Sequence, residues 1–225
     1  ATVYATAKGH VSEGGNSNDI TFGQAFTEPA YFEPTKSVSK LFVVEDVNED
    51  WSTWKYHDGT SAFRHEFDWD NDADDWLFLP PVNITETGYL HTFSMNAWAV
   101  DNEVFEVYVG REPSSKAMTQ LVIGESQTPG GEVRTPFEGM FNAEEPGLYY
   151  IGIHAITPAD KLYLYVKDMK VEVSAVSKNG PDMVQDVTAT AAAEGALSAT
   201  IAFKMPVSTI NNTPLSGTVT AVISN

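Results

Sequence analysis

The chain has 225 residues, 42% hydrophobic and 12% aromatic, enough to bury a core in one large β domain or in a medium domain with flanking pieces. Thirteen Lys and Arg against 31 Asp and Glu leave a formal charge of -18, which repels phosphate backbones and anionic membranes and sets nucleic acid aside as a partner. There is no cysteine for a disulfide, a thiolate zinc site or a nucleophile, and no stretch approaches the roughly 18 apolar residues of a membrane helix, so no membrane insertion is expected.

In chain order, Tyr4 to Lys8 reads as a short strand, Gly14 to Asp19 as a hairpin turn and Ile20 to Phe22 as the returning strand. Ala1 to Tyr4 has neither the charged start nor the apolar run of a secretory leader, so the chain is expected to begin after processing or, as fits better, inside a longer protein. Acid is then concentrated: Glu45 to Asp75 holds eleven carboxylates against Lys55 and Arg64, half of the total charge. Such crowding costs self-repulsion unless solvent, a divalent cation or a basic partner offsets it.

Through the centre, period-two alternation recurs. Tyr89, Phe93, Met95 and Ala97 share one face of a strand and Thr92, Ser94 and Asn96 the other, and similar strands run through Phe105 to Gly110 and Tyr149 to His154. The run Leu162 to Val173 changes phase at Asp168, which implies a bulge there. A helical turn is expected at Ser114 to Gln120, capped by Ser114 or Ser115. Turn signals such as Pro80-Pro81 and Pro129-Gly130-Gly131 separate these runs at spacings that suit a sandwich. After Asn179-Gly180-Pro181 small residues dominate, and Leu197 to Lys204 and Val219 to Ile223 read as strands of a further, incomplete sandwich.

Five stretches carry a family resemblance: Val44 to Trp54, Asp74 to Val82, Phe105 to Gly110, Tyr149 to His154 and Leu164 to Asp168. Together they resemble the cleaved-adhesin or choice-of-anchor J jelly-roll family of bacterial surface and secreted proteins, which includes the adhesin regions of gingipains. The resemblance implies an all-β, galactose-binding-like jelly-roll β-sandwich at residues 29–177 with an interaction role and a secreted or cell-surface location. Residues 1–28 and 178–225 are similar to the end and the beginning of fibronectin type III modules, and pairing of these two incomplete pieces is expected because each leaves apolar faces and open edges. In the resembled family a structural calcium commonly ties the first strand to the last, which implicates Glu33 and Asp168.

Independently, Asp46, Asn48 and Asp50 place oxygen ligands at alternate positions, a spacing that suits calcium in a loop. Asp68, Asp70, Asp72 and Asp74 fail the EF-hand pattern, because counting from Asp68 puts Ala73 and Leu79 where that loop needs Gly and Glu. They read instead as an exposed acidic loop in which Asp74 or Asp75 bonds the turn before Trp76. Among the five tryptophans, Trp54 and Trp76 read as core, whereas Trp69 between two aspartates and Trp98 opposite the face of Phe93 are the surface candidates for stacking on a sugar. The five histidines lack metal spacing, with His91 and His154 expected on solvated sheet faces, and no nucleophile elbow or phosphate loop is present.

These readings converge on a non-catalytic, adhesin-like module that binds carbohydrate or an extracellular protein, with calcium as a structural cofactor. The alternative is a spacer within a longer surface protein or secreted enzyme. A polysaccharide hydrolase ranks last, because the separation of a carboxylate pair is not written in sequence.

Overall fold

The computed structural model describes residues 25–191 and 199–221, and the expected strands at Tyr4 to Lys8 and Ile20 to Phe22, with His10, lie outside the described residues. The chain divides into two compact units, the first ending at Ser174 and the second beginning at Ala175.

The first unit is an all-β jelly-roll sandwich. Its strands are β1 (Phe26–Thr27), β2 (Ala30–Phe32), β3 (Val43–Asp46), β4 (Trp54–His57), β5 (Ala62–His65), β6 (Asp75–Phe78), β7 (Val82–Ile84), β8 (Tyr89–Ala99), β9 (Val104–Gly110), β10 (Met118–Gln127), β11 (Thr135–Phe141), β12 (Gly147–Ala155) and β13 (Leu164–Ser177). One seven-stranded sheet runs β1-β7-β12-β6-β3, with β9 beside β12 and β10 beside β9. The facing six-stranded sheet runs β11-β8-β13-β5-β4, with β2 also on β13.

Alternation decides what enters the space between the sheets. Phe93, Met95 and Ala97 of β8, Phe105 and Val107 of β9, Ile151 and Ile153 of β12 and Leu164 and Val166 of β13 all point into one buried cluster. In β13 the inward phase passes from Leu164 and Val166 to Met169 and Val171 across Asp168, whose φ is 54°. One extra residue in the strand thus resets its faces, as the phase change implied. A smaller cluster of Trp76, Phe78, Met118 and Tyr150 covers the other side of the seven-stranded sheet. Gly152 makes room for it, since a Cβ there would lie 3.0 Å from Met118, Phe78 and Trp76 atoms.

Several expectations change. The helical turn shrinks to a 3-10 segment, Ser115–Ala117, whose N-cap Ser114 makes no side-chain cap bond; Glu45 accepts instead from the Ser115 backbone N–H and hydroxyl, at 2.7 and 2.8 Å. His91 does not lie on a solvated face, whereas His154 stands on the outer face of its sheet, partly covered. His91 is fully buried, with Nδ1 2.6 Å from Glu28 Oε1, and His154 stacks on Trp76 with its Nε2 2.8 Å from Asp74 Oδ1.

In the second unit, β14 (Gln185–Ala191) pairs antiparallel with β15 (Ala199–Lys204), and short bridges link Pro181 to Thr209 and Ser208 to Pro214. Residues 219–221 are not strand, so the expected last strand does not form among the described residues. Val187, Ile201 and Val207 stay exposed, because two strands supply no opposing layer.

Candidate functional site

The outer face of the six-stranded sheet holds a connected run of aromatic rings. In β5, Phe63 and His65 are buried, so Arg64 between them stands outward; in β13, Leu164 and Val166 are buried, so Tyr165 does the same. Register then sets Lys55, Arg64 and Tyr165 on one rung across β4, β5 and β13. Trp98 extends the run on β8, its ring stacked on Tyr165 at 5.2 Å and 6°. From Tyr165 the rings continue to Tyr163 at 6.4 Å, to Phe67 at 5.1 Å and to Trp69 at 4.9 Å.

Cations and carboxylates border these rings. The Arg134 guanidinium lies 4.5 Å over Trp98 and that of Arg64 lies 4.2 Å over Tyr163. Arg64 is held in place by donating from Nε and Nη2 to Glu66 Oε1 at 3.0 and 2.5 Å. Asn96 donates to Asp168 Oδ2 at 2.8 Å, and the His57 ring meets Tyr165 edge-on at 5.9 Å. Trp69, 65% exposed, is the free end of the run.

The two tryptophans expected as separate surface platforms are therefore the two ends of one arrangement. The expectation of surface exposure is corrected for Trp98, which is only 5% exposed because Tyr165 covers one face of the indole and Arg134 the other. Tyr163, Tyr165 and Phe67, absent from the residues singled out in sequence, link them.

The five residues expected to hold calcium fall into two groups on opposite sheets. Phe32 pairs with Met169 at the end of β2, so Glu33, the next residue, leaves the strand beside the bulge at Asp168, where an early strand meets the last. Asp46 ends β3, Asn48 and Asp50 follow in the loop after it, and most of their polar atoms are engaged within the protein. Asp46 Oδ2 accepts from Trp51 N at 3.0 Å, Asp50 Oδ1 from Ser52 N at 2.8 Å, and the Asn48 amide donates to Asp50 Oδ2 at 3.0 Å and to the Asp72 carbonyl at 2.8 Å. Only Asp46 Oδ1 is buried without a partner. A calcium ion needs six to eight oxygens, and this set as arranged does not fit one. Among the described residues no three Asp, Glu or His side chains converge as a metal would require.

The neighbouring acidic loop quenches its own charge with backbone amides. Asp68 Oδ1 accepts from the N–H groups of Asp70 and Asn71 at 2.8 and 2.9 Å, which holds its carboxyl below the ordinary range. Asp72 Oδ1 accepts from Ala159 N at 2.8 Å. Asp74 and Asp75, expected to bond the turn, bind His154 and His65 instead.

Three buried ionisable side chains lie near this loop, and of them only Asp75 was singled out in sequence. His65 Nε2 lies 2.8 Å from Asp75 Oδ2, both residues being buried, and the Trp54 indole donates to the Asp75 carbonyl. Glu103 is 1% exposed with Oε1 unpartnered, and burial raises its pKa against a lowering contribution from the Thr157 hydroxyl. A carboxyl that holds its proton more tightly folded than unfolded contributes stability below the ordinary carboxylate value and loses it as pH rises through the raised one. Glu103→Gln, neutral throughout, is therefore expected to gain stability relative to the unaltered protein between pH 4 and pH 7, as read from denaturant midpoints; a constant difference across that range would contradict this.

Solved structures similar to the chain include the K3 and K1 cleaved adhesin domains of Lys-gingipain from Porphyromonas gingivalis W83. The first is 11% identical, covers 64% of this chain and 96% of the domain, and has a TM-score of 0.49. The second is 15% identical over 65% and 97%, also with a TM-score of 0.49. TmCBM61, solved in complex with β-1,4-galactotriose, is 15% identical over 60% and 83% with a TM-score of 0.39. No family model matches the sequence, and no curated protein matches it. At these identities and scores no residue role passes from those proteins to this one.

Proposed function

We propose that the first unit is a non-catalytic binding module of a secreted or cell-surface bacterial protein, and that it takes a neutral polysaccharide along the outer face of the six-stranded sheet. The observation that carries this reading is the unbroken sequence of rings from Trp98 to Trp69, bordered by Arg134, Arg64, Glu66 and Asn96. The exposed face of Trp69 matches the C–H face of a sugar ring, the covered rings behind it hold the run in place, and the flanking polar groups match the hydroxyl edges. The formal charge of -18 favours a neutral glycan over a polyanionic one. Residues 1–24, on which the pairing of the terminal pieces rests, lie outside the described residues.

Trp69→Ala is expected to weaken binding to neutral polysaccharides by about tenfold or more while leaving the melting temperature in place, since the side chain is largely exposed. Titration calorimetry against soluble β-glucans, xylans and galactans reads the effect. No binding to any of them by the unaltered chain would favour the spacer reading.

We propose further that any structural calcium sits at the Glu33–Asp168 junction rather than in the loop at 46–50. A ligand that binds only the folded state stabilises it by mass action, so millimolar calcium is expected to raise the melting temperature by a few degrees and Asp168→Asn to remove the rise. An unchanged melting temperature would dismiss the metal.

A further inference from the structure

A cleft of about 500 Å3 opens at the other end of β11 from the Trp98–Arg134 contact, within the 300–1,000 Å3 typical of small-molecule sites. Arg134 precedes β11 and Asn142 follows it, so seven strand residues at about 3.4 Å each set the two places roughly 25 Å apart. The cleft lies between the β9–β10 connection and the turn from β11 to β12.

Its walls mix apolar surface with several hydrogen-bonding side chains. The Arg111 guanidinium lies 4.2 Å over the Tyr149 ring, and Gly147, at φ +136°, leaves room for it, since a Cβ there would lie 3.0 Å from Arg111 Nη2. The Tyr149 hydroxyl donates to the Glu145 carbonyl at 2.8 Å and accepts from its N–H at 3.3 Å, which pins the turn. Gln120 Oε1 accepts from Asn142 N at 3.2 Å, leaving the Gln120 amide nitrogen as a donor. Asn142 lines the cleft, while its Oδ1 is buried with no partner.

The charges select the ligand. Glu144 and Glu145 stand against a carboxylate or phosphate, Arg111 stands against a cation, and the density of hydrogen-bonding groups disfavours an apolar molecule. A neutral polyhydroxyl compound satisfies all of them, because each hydroxyl can both donate to Glu144 or Glu145 and accept from Arg111 or Gln120. We propose that this cleft is a second binding site, for the terminal ring of a neutral saccharide. It is separate from the aromatic run and does not depend on it, since Tyr149 is already covered by Arg111 and offers no stacking face.

The test is a nuclear magnetic resonance titration of the full chain with the methyl glycosides of glucose, galactose, mannose and xylose, and with glucuronate and glucosamine as charged controls. At least one neutral glycoside is expected to shift the Asn142 and Gln120 side-chain amide signals saturably at millimolar concentration, with the Trp69 indole signal unmoved. Arg111→Met, which keeps an apolar cover on Tyr149, is expected to weaken that binding about tenfold, whereas Trp69→Ala leaves it unchanged. No saturable shift at Asn142 and Gln120, tighter binding of glucuronate or glucosamine, or full affinity in Arg111→Met would each overturn the proposal. Loss of polysaccharide binding in Trp69→Ala with these shifts intact would leave both sites standing as separate.

Discussion

Trp98→Ala is expected to destabilise the first unit by about 3–5 kcal/mol and to abolish polysaccharide binding together with it. The indole fills the space between Tyr165 and Arg134, so its removal leaves a cavity, takes the stacking partner from Tyr165 and releases Arg134 to solvent. The ring run then loses its fixed end while Trp69 at the other end is untouched. Denaturant unfolding and calorimetric titration read the two effects separately. Trp98→Phe keeps a stacked ring and should recover most of the stability. If Trp98→Ala bound glycans at full affinity, the ring run would not be the binding surface.

His65→Ala is expected to be of similar cost, about 3–5 kcal/mol, for an electrostatic reason. Asp75 is fully buried, one of its carboxylate oxygens faces His65 at 2.8 Å and the other has no partner, so truncating the histidine leaves a carboxylate with neither water nor a side-chain partner. The comparison that isolates this effect is the double variant His65→Leu with Asp75→Leu, which removes the charge and its partner together. It should be more stable than His65→Ala alone, because the burial cost of the charge vanishes with the charge. Denaturant unfolding of the three variants decides. Equal losses in His65→Ala and the double variant would show that shape rather than charge sets the cost.

What sequence could and could not show follows from the range of each interaction. Alternation in β8 needs only neighbouring residues, and it correctly places Phe93, Met95 and Ala97 in the core. The same alternation puts His91 inside, midway between Tyr89 and Phe93; expecting it in solvent followed residue type where period should have ruled. Trp98 is different. Its position on the outer face follows from the strand, but its cover comes from Tyr165, 67 positions later, and from Arg134, just before β11. Likewise the 46–50 spacing suits an ion, yet Asn48 reaches the Asp72 carbonyl, 24 positions away, and so helps to close the loop with protein donors.

The extra residue at Asp168 also limits how the chain can change. Upstream of it Tyr165 faces outward, and downstream Met169 and Val171 face inward, so the two halves of β13 are one step out of phase. If the strand kept its length but lost the bulge, strict alternation would set Tyr165, Met169 and Val171 on one face, and either the ring run would lose Tyr165 to the interior or the core would turn Met169 and Val171 to water. The left-handed backbone at Asp168 is accordingly what lets one strand serve the core along its whole length while still presenting Tyr165 outside.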